Sequence, residues 1–157
     1  MEKNNFNFSF EDLRLFQKNL DFIDYIYKVA ATFPDSEREN LSNKLINTAQ
    51  SIAVNIAEGS GEQKFQYIAS LKIAKAAIKQ CVVYSLIARR QNYIDEFTEE
   101  EIRNRLVEIS KMISGLIRSL KNPDPNRQRD SHENNNNNNL SVENSFNYEN
   151  FKSNGIT

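Results

Sequence analysis

Apolar residues recur at helical spacing in four stretches of this chain, with short polar links between them. In the first stretch they stand three or four positions apart and predict one buried stripe: Leu13, Phe16, Leu20, Ile23, Tyr27 and Ala30. The second stretch has its apolar face at Leu41, Leu45, Thr48, Ile52 and Ile56. A third extends from about Lys64 to Gln91, and the fourth has its apolar positions at Ile102, Leu106, Ile109, Ile113, Leu116 or Ile117, and Leu120.

The residues between these stretches are typical of helix ends. Phe33-Pro34 ends the first helix, because the residue before a proline is disfavoured in the helical region. Gly59 predicts a left-handed cap at the end of the second helix. Thr98 and Glu101 have the spacing of a capping box, so the fourth helix is predicted to open at Thr98.

Short links join helices of similar length: Pro34–Arg38, Gly59–Gln63 and Asn92–Phe97. A link this short makes each pair of neighbouring helices antiparallel. The sequence therefore predicts an all-α fold, an up-down-up-down antiparallel four-helix bundle over residues 10–121.

Residues outside this range differ in composition. Residues 1–9 are predicted to be a flexible N-terminal segment. Pro123 and Pro125 end the fourth helix, and the stretch 122–157 is polar and contains the Asn134–Asn139 run. Such a stretch buries too little apolar area to offset its ordering entropy, so we predict a disordered C-terminal tail.

Side chains that could carry chemistry are sparse. The single histidine, His132, falls in the tail, so the chain has no Glu-x-x-His motif for a metal site and no catalytic Ser/His or Cys/His pair. Gly59-Ser60-Gly61 is too short for a phosphate loop and lacks its lysine. The single cysteine, Cys81, is interpreted as a small buried hydrophobe. We expect no enzymatic activity, no metal, no cofactor and no small-molecule substrate.

No apolar run reaches the roughly 20 residues that span a bilayer, and the N-terminus lacks the basic start and apolar core of a signal peptide. We expect a cytoplasmic protein that does not enter membranes. The net charge of −1 argues against a globally basic nucleic-acid binder but leaves local patches open.

Six basic residues, which we call the basic stripe, project from the third helix within a sector of about 100°. They are Lys64, Lys72, Lys75, Lys79, Arg89 and Arg90. Residues 61–90 contain one acid, Glu62, so their net charge is +6 − 1 = +5. Such a surface suits contact with the phosphates of nucleic acid. The alternative is a solvated face that pairs with acids of neighbouring helices, such as Glu99–Glu101 or Asp21 and Asp24.

The rest of the third helix is largely apolar around its circumference: Tyr67, Ile73, Ile78, Cys81, Val83 and Ile87. A bundle helix needs only one apolar face. The excess predicts a second burial, most simply against another subunit.

Three motifs resemble one family: F-x-D-L-x-x-[WF]-Q-[KA] at Phe10–Lys18, F-P-x-x-E-x-x-x-L at Phe33–Leu41, and A-x-N-I-A-E-G at Ala53–Gly59. The family is named for proteins encoded in intervening sequences of bacterial 23S rRNA genes. The accessory variability determinant of diversity-generating retroelements belongs to the same superfamily. Asn55, Glu58 and Gly59 form the structural signature. The side chains of Asn55 and Glu58 are expected to hydrogen-bond around the helix end and into the turn.

The third helix also resembles the family pattern, but with departures. Tyr67 and the run Leu71–Ala74 match, whereas Gln66 and Gln80 stand where glutamates are common, and Ala76-Ala77 replaces Gly-Ser. If those glutamates make a polar contact between subunits, this protein makes it differently or lacks it.

The resemblance implies a four-helix bundle, a homo-oligomer with a ring-shaped pentamer as precedent, and a non-catalytic role. In the retroelement branch the partner is nucleic acid or a reverse transcriptase. We therefore interpret the chain as a homo-oligomeric scaffold that binds RNA, DNA or a nucleic-acid enzyme through basic stripes. The alternative is a protein–protein adaptor or structural bundle with no nucleic-acid role, which recruits through the tail aromatics Phe146, Tyr148 and Phe151.

Overall fold

The computed structural model describes residues 8–123 of the 157-residue chain. They form four α-helices: α1 (Arg14–Ala30), α2 (Asn43–Gly59), α3 (Lys64–Arg90) and α4 (Glu96–Lys121). No strand occurs in this range, so the all-α prediction is confirmed. None of the four helices is long and apolar enough to cross a membrane. Residues 1–7 and 124–157, which include most of the predicted flexible segment and tail, lie outside the described range.

Each helix packs against two neighbours around one core, and α1 lies diagonally across from α3. Lys75 Nζ on α3 donates a hydrogen bond to Ser114 Oγ on α4 at 3.0 Å. The two residues lie at similar distances from the link between these helices, as in a helical hairpin. Lys18 on α1 pairs with Glu108 on α4 at 3.0 Å. The up-down-up-down order of the whole bundle stays a prediction.

The buried faces of α2 and α4 are the predicted ones. Ile52 and Ile56 are fully buried and Ile109 is 1% exposed. α3 turns small side chains inward, among them Ala74, Ala77, Cys81, Ser85 and Ala88. Burial raises the pKa of the Cys81 thiol to about 12, so its interpretation as a buried hydrophobe is confirmed.

The predicted stripe of α1 is only partly right, since Ala30 is buried and Leu13, Phe16 and Ile23 pack partly buried against the core, whereas the fully buried face is a different one. The buried residues are Leu15, Asn19, Phe22, Ile26, Val29 and Ala30. This face is turned by about 100° from the predicted one, and Leu20 and Tyr27 are 36% and 49% exposed. The pattern was hidden by Asn19, a polar residue in the middle of the true core face. Its Nδ2 donates to the Ala49 carbonyl oxygen at 3.4 Å, and its Oδ1 has no partner among residues 8–123.

The start of α4 also differs from the prediction. The helix begins at Glu96, and Asp95 is its N-cap. Asp95 Oδ1 accepts a hydrogen bond from the Thr98 N–H at 2.8 Å, while Glu101 accepts from Arg105 at 2.6 Å. A carboxylate at the N-cap also suits the positive end of the helix dipole, so Asp95 takes the role assigned to Thr98.

Gly59 ends α2 without adopting a left-handed cap, because its φ lies outside that range. Its role is close packing. A Cβ at this position would lie 2.7 Å from Tyr67 Cδ2 and 2.9 Å from Ser70 Cβ, both on α3. Only the hydrogen of glycine fits there, so Gly59 sets how closely α2 and α3 approach.

We expect Gly59→Ala to destabilise the fold by about 1–3 kcal/mol, because the added methyl group overpacks the contact with Tyr67 and Ser70. Gly61→Ala is the matched control. A Cβ there meets no atom within 4 Å, so its effect should be neutral or stabilising by about 1 kcal/mol at most. Urea unfolding followed by circular dichroism measures both. Equal stability of the two variants would contradict the packing role of Gly59.

We expect Phe22→Ala to cost about 3–5 kcal/mol, since it empties a fully buried position. Leu20→Ala, two residues away and 36% exposed, should cost about 1 kcal/mol or less. The same unfolding measurement compares them. A larger loss for Leu20→Ala would support the stripe expected from the sequence over the observed one.

Candidate nucleic-acid interface

The basic stripe lies on the part of α3 that faces solvent and α4. Lys64, Lys72, Lys79 and Arg90 are exposed, and the other two residues are partly buried. The hydrogen bond from Lys75 to α4 orients this side of the helix. Since α3 contains no acidic residue, nothing within the helix neutralises the stripe.

The acids expected to pair with the stripe do not do so. Glu99 pairs with Arg103 at 2.7 Å and Glu101 with Arg105 at 2.6 Å, both within α4. The two candidate aspartates of α1 are exposed on the helix diagonal to α3. Within the range 8–123, no residue of the basic stripe forms a salt bridge. The described residues therefore show no acid paired with the stripe, and a solvated face remains the alternative interpretation.

Lys75 lies in an electrostatically unfavourable position. Its pKa is lowered, first by partial burial and second by the positive charge of Lys79. Its hydrogen-bond partner, Ser114, is neutral, and the Ser114 hydroxyl donates its own hydrogen bond to the Ser110 carbonyl oxygen at 2.9 Å. An anion bound from solution beside Lys75 and Lys79 would offset the repulsion and stabilise the charged ammonium.

The fourth helix adds basic residues that the sequence did not connect with the stripe. Lys111, Arg118 and Lys121 stand three, four and seven positions from Ser114, so they share its face of α4. Because Ser114 contacts Lys75, this face borders the stripe. The spacing could be recognised in the sequence, but the contact that joins the two faces could not.

Charge differs between the two ends of this surface. Residues 95–101 at the start of α4 contain five acids and no base. The pKa of Asp95 is lowered mainly by hydrogen bonding to Thr98 and, less, by the charge of Arg89. Arg89 thus stands near Asp95, whereas Lys75 contacts the second half of α4, which carries Lys111, Arg118 and Lys121. We define the candidate interface as the four lysines of the stripe together with these three residues of α4.

The signature residues serve helix structure and packing. Asn55 Nδ2 donates to the Ser51 carbonyl oxygen at 2.7 Å, within α2. Glu58 is exposed and makes no hydrogen bond or ion pair among residues 8–123. Neither side chain bonds into the turn, contrary to expectation. Gly59 instead contacts Tyr67, which matches the family pattern of the third helix.

A second surface of α3, which we call the heptad stripe, lies on the side away from α4. Its seven residues alternate in steps of three and four, and all are exposed: Gln66, Ala69, Ile73, Ala76, Gln80, Val83 and Ile87. Ile73 and Val83 are 57% and 52% exposed. This alternation is the pattern by which one helix packs along another. The predicted excess of apolar surface is thus located on one narrow face.

One open cleft of about 280 Å³ lies near the start of α2 and the end of α3, away from the candidate interface. Its lining includes Glu37, Lys44, Tyr84 and Tyr93. The Tyr93 hydroxyl donates to Glu37 Oε1 at 3.3 Å. No group of three or more His, Cys, Asp or Glu residues is placed to hold a metal ion within residues 8–123.

Comparison with known proteins shows which family and which solved structure this chain is similar to. The family described as "23S rRNA-intervening sequence protein" matches residues 11–115. A crystal structure of a protein of unknown function, from the S23 ribosomal protein family of Bacteroides thetaiotaomicron, is similar, with a TM-score of 0.61 and 25% identity over 66% of this chain and 97% of that one. No curated protein matches this chain significantly. The family match extends from before α1 to well within α4, and the chain therefore belongs to the 23S rRNA-intervening sequence protein family.

Proposed function

We propose that this protein is a non-catalytic, self-associating scaffold that binds nucleic acid through the candidate interface on α3 and α4. One observation carries the proposal: Lys72, Lys75 and Lys79 are concentrated on one surface and have no acidic partner among the described residues. The family name refers to where its genes lie and is not itself a function.

The stability of the fold does not explain why these lysines lack acidic partners. Exposed ion pairs contribute only about 0–1 kcal/mol each, so pairing the lysines with acids would change the fold's stability little. Partial burial and, to a lesser extent, the charge of Lys79 lower the pKa of Lys75, so the unpaired lysines gain no stability from standing together. Nucleic acid would supply the missing anions, and its binding gains free energy by releasing counterions from the phosphates.

The heptad stripe supports self-association, with a second copy of this chain as the occupant. Exposed aliphatic side chains gain about 25 cal/mol for each Å² removed from water. The two polar positions of the stripe, Gln66 and Gln80, are the ones where the family pattern has glutamates. Neutral amides there let two copies approach without burying charge. Assembly would repeat the basic surface and strengthen binding through multivalency.

The proposed partner is RNA or DNA, alone or in an assembly with a nucleic-acid enzyme such as a reverse transcriptase. Each basic surface binds a stretch of phosphate backbone, independently of the base sequence. A pentameric ring is the family precedent for the assembly. A cytoplasmic location is part of the same proposal.

We expect binding to a structured RNA to be steeply salt-dependent, with affinity falling on the order of 10³-fold between about 50 and 200 mM salt for about six phosphate contacts. Lys72→Glu with Lys79→Glu should weaken binding at every salt concentration. It should also reduce the slope of log affinity against log salt concentration by the amount expected for about two phosphate contacts. Lys28→Glu with Lys44→Glu changes the net charge equally at exposed sites on α1 and α2 and should bind like the unmodified protein. Fluorescence anisotropy measures all three.

Two results would contradict the proposal. If the unmodified protein fails to bind at about 50 mM salt, where phosphate contacts are strong, the adaptor function becomes the better account. If both double variants lose affinity equally, binding depends on overall charge and not on the stripe.

We expect light scattering coupled to size exclusion to report a multiple of the monomer mass. Ile73→Ser with Val83→Ser should lower that mass toward the monomer, because it removes the two most exposed large residues of the heptad stripe. Serine has about the helix propensity of isoleucine and valine, so helicity should persist. Tyr27→Ser on α1, 49% exposed, is the control and should keep the assembly. A monomeric unmodified protein at micromolar concentration would overturn the self-association.

A further inference from the structure

Phe65, the second residue of α3, is the most exposed large hydrophobic side chain among residues 8–123, at 83%. It makes none of the aromatic ring contacts in that range. A phenylalanine left in water forgoes the favourable free energy that burial of its ring would supply. Single exposed hydrophobic side chains are common on folded domains, so the surroundings of Phe65, rather than its exposure alone, indicate what it could contact.

Phe65 is not one of the seven positions of the heptad stripe, although it shares the azimuth of Val83, five helical turns further along α3. The position that continues the three–four alternation from Ala69 is Gln66. Phe65 is one residue earlier, and at about 100° per residue its side chain is turned from Gln66 toward the basic stripe. It therefore lies at the border between the heptad stripe and the lysines.

Basic residues stand before and after this ring along α3, and one acid, Glu62, stands three positions before it. Lys64 precedes it, and Lys72 follows seven residues later, on nearly the same azimuth and about 10 Å further along the helix axis. Helical side chains lean toward the N-terminus, so the Lys72 ammonium extends back toward Phe65. An antiparallel pairing of α3 and α4, which the Lys75–Ser114 bond favours, would bring Lys121 to the first turns of α3.

An exposed aromatic ring among cations is the arrangement by which proteins bind single-stranded nucleic acid. The cations contact phosphates, and an unpaired base stacks on the ring. Bases within a duplex are already stacked and cannot reach a ring on a convex helix surface. We propose that the first half of α3 binds a single-stranded segment of RNA or DNA, with Phe65 stacking on one base while Lys64, Lys72 and Lys79 contact the phosphates. This inference rests on the proposed nucleic-acid binding and specifies its substrate as unpaired strands.

The chain contains its own control. Phe97 on α4 is also highly exposed, at 75%, but it stands among the five acids of residues 95–101. Those carboxylates repel phosphate, so a base has no reason to approach this second ring. The two phenylalanines differ mainly in the sign of the charge around them.

Affinity provides the first test, on the full chain with a fluorescein-labelled single-stranded RNA and a blunt duplex of equal length. We expect the single strand to bind more tightly. Phe65→Leu should weaken single-strand binding by about 5- to 150-fold, the range for loss of one stacked base, and leave duplex binding and the salt slope unchanged. Leucine keeps the helix and the apolar character but has no ring. Phe97→Leu should bind like the unmodified protein.

Fluorescence provides the second test, because the sequence contains no tryptophan. Phe65→Trp retains a stacking ring, so it should keep single-strand affinity, and its emission should be quenched on binding. Phe97→Trp should show no quenching at the same saturation. Light scattering of Phe65→Leu should give the unmodified mass.

The outcomes separate this inference from the proposed function. If the Lys72/Lys79 variant loses binding while Phe65→Leu does not, and the tryptophan at position 65 is not quenched, the basic surface stands and the stacking is wrong. If the unmodified protein binds neither strand nor duplex, both fail together. A reduced mass for Phe65→Leu would place the ring in a subunit contact and overturn the stacking.

Discussion

The close packing of α2 against α3 at Gly59 is the constraint on which the rest of the structure depends. With Tyr67 and Ser70 against a residue that has no side chain, the rotation of α3 about its axis is restricted. Small inward residues such as Ala74 and Ala77 keep the two helices close along their length. Once that face is turned to the core, helical periodicity assigns the lysines to the side of α4 and the heptad stripe to the opposite side.

The rotation of α4 completes the surface, and α1 helps to hold it. Lys18 pairs with Glu108, and the Arg105 guanidinium lies 4.5 Å from the centre of the Tyr25 ring. These contacts turn one side of α4 toward α1 and leave the Ser114 face toward α3. Two acids of α4, Glu99 and Glu101, are meanwhile engaged by arginines one turn away in the same helix, and Glu108 is engaged by Lys18 of α1. This pairing keeps these three acids from the lysines of α3.

A buried polar group accompanies this arrangement. Asn19 is fully buried, and its Oδ1 has no partner in the described part of the chain. An orphaned buried acceptor costs about 1–3 kcal/mol. The Asn19 side-chain nitrogen does donate a hydrogen bond to the Ala49 carbonyl oxygen on α2. This bond joins α1 and α2 at one position along their length. The heptad stripe is a second departure from an ideal fold, since it leaves Ile73 and Val83 in water. Departures of this kind concentrate where a protein does something besides folding.

The sequence by itself determined the all-α class, the four helices and the core faces of α2 and α4, because helical periodicity is a local property and Ile52 and Ile109 follow it without interruption. It also located the six basic residues on one side of α3. It did not determine the core face of α1, since Asn19 looks like a surface residue until a partner such as the Ala49 carbonyl is known. Nor did it show why Gly59 is glycine, because the atoms that exclude a Cβ belong to another helix. The extent of the candidate interface depended on the contact between Lys75 and Ser114, which joins residues 39 positions apart in the chain. Only tertiary structure decides such contacts, because they follow from how whole helices rotate and pack against one another.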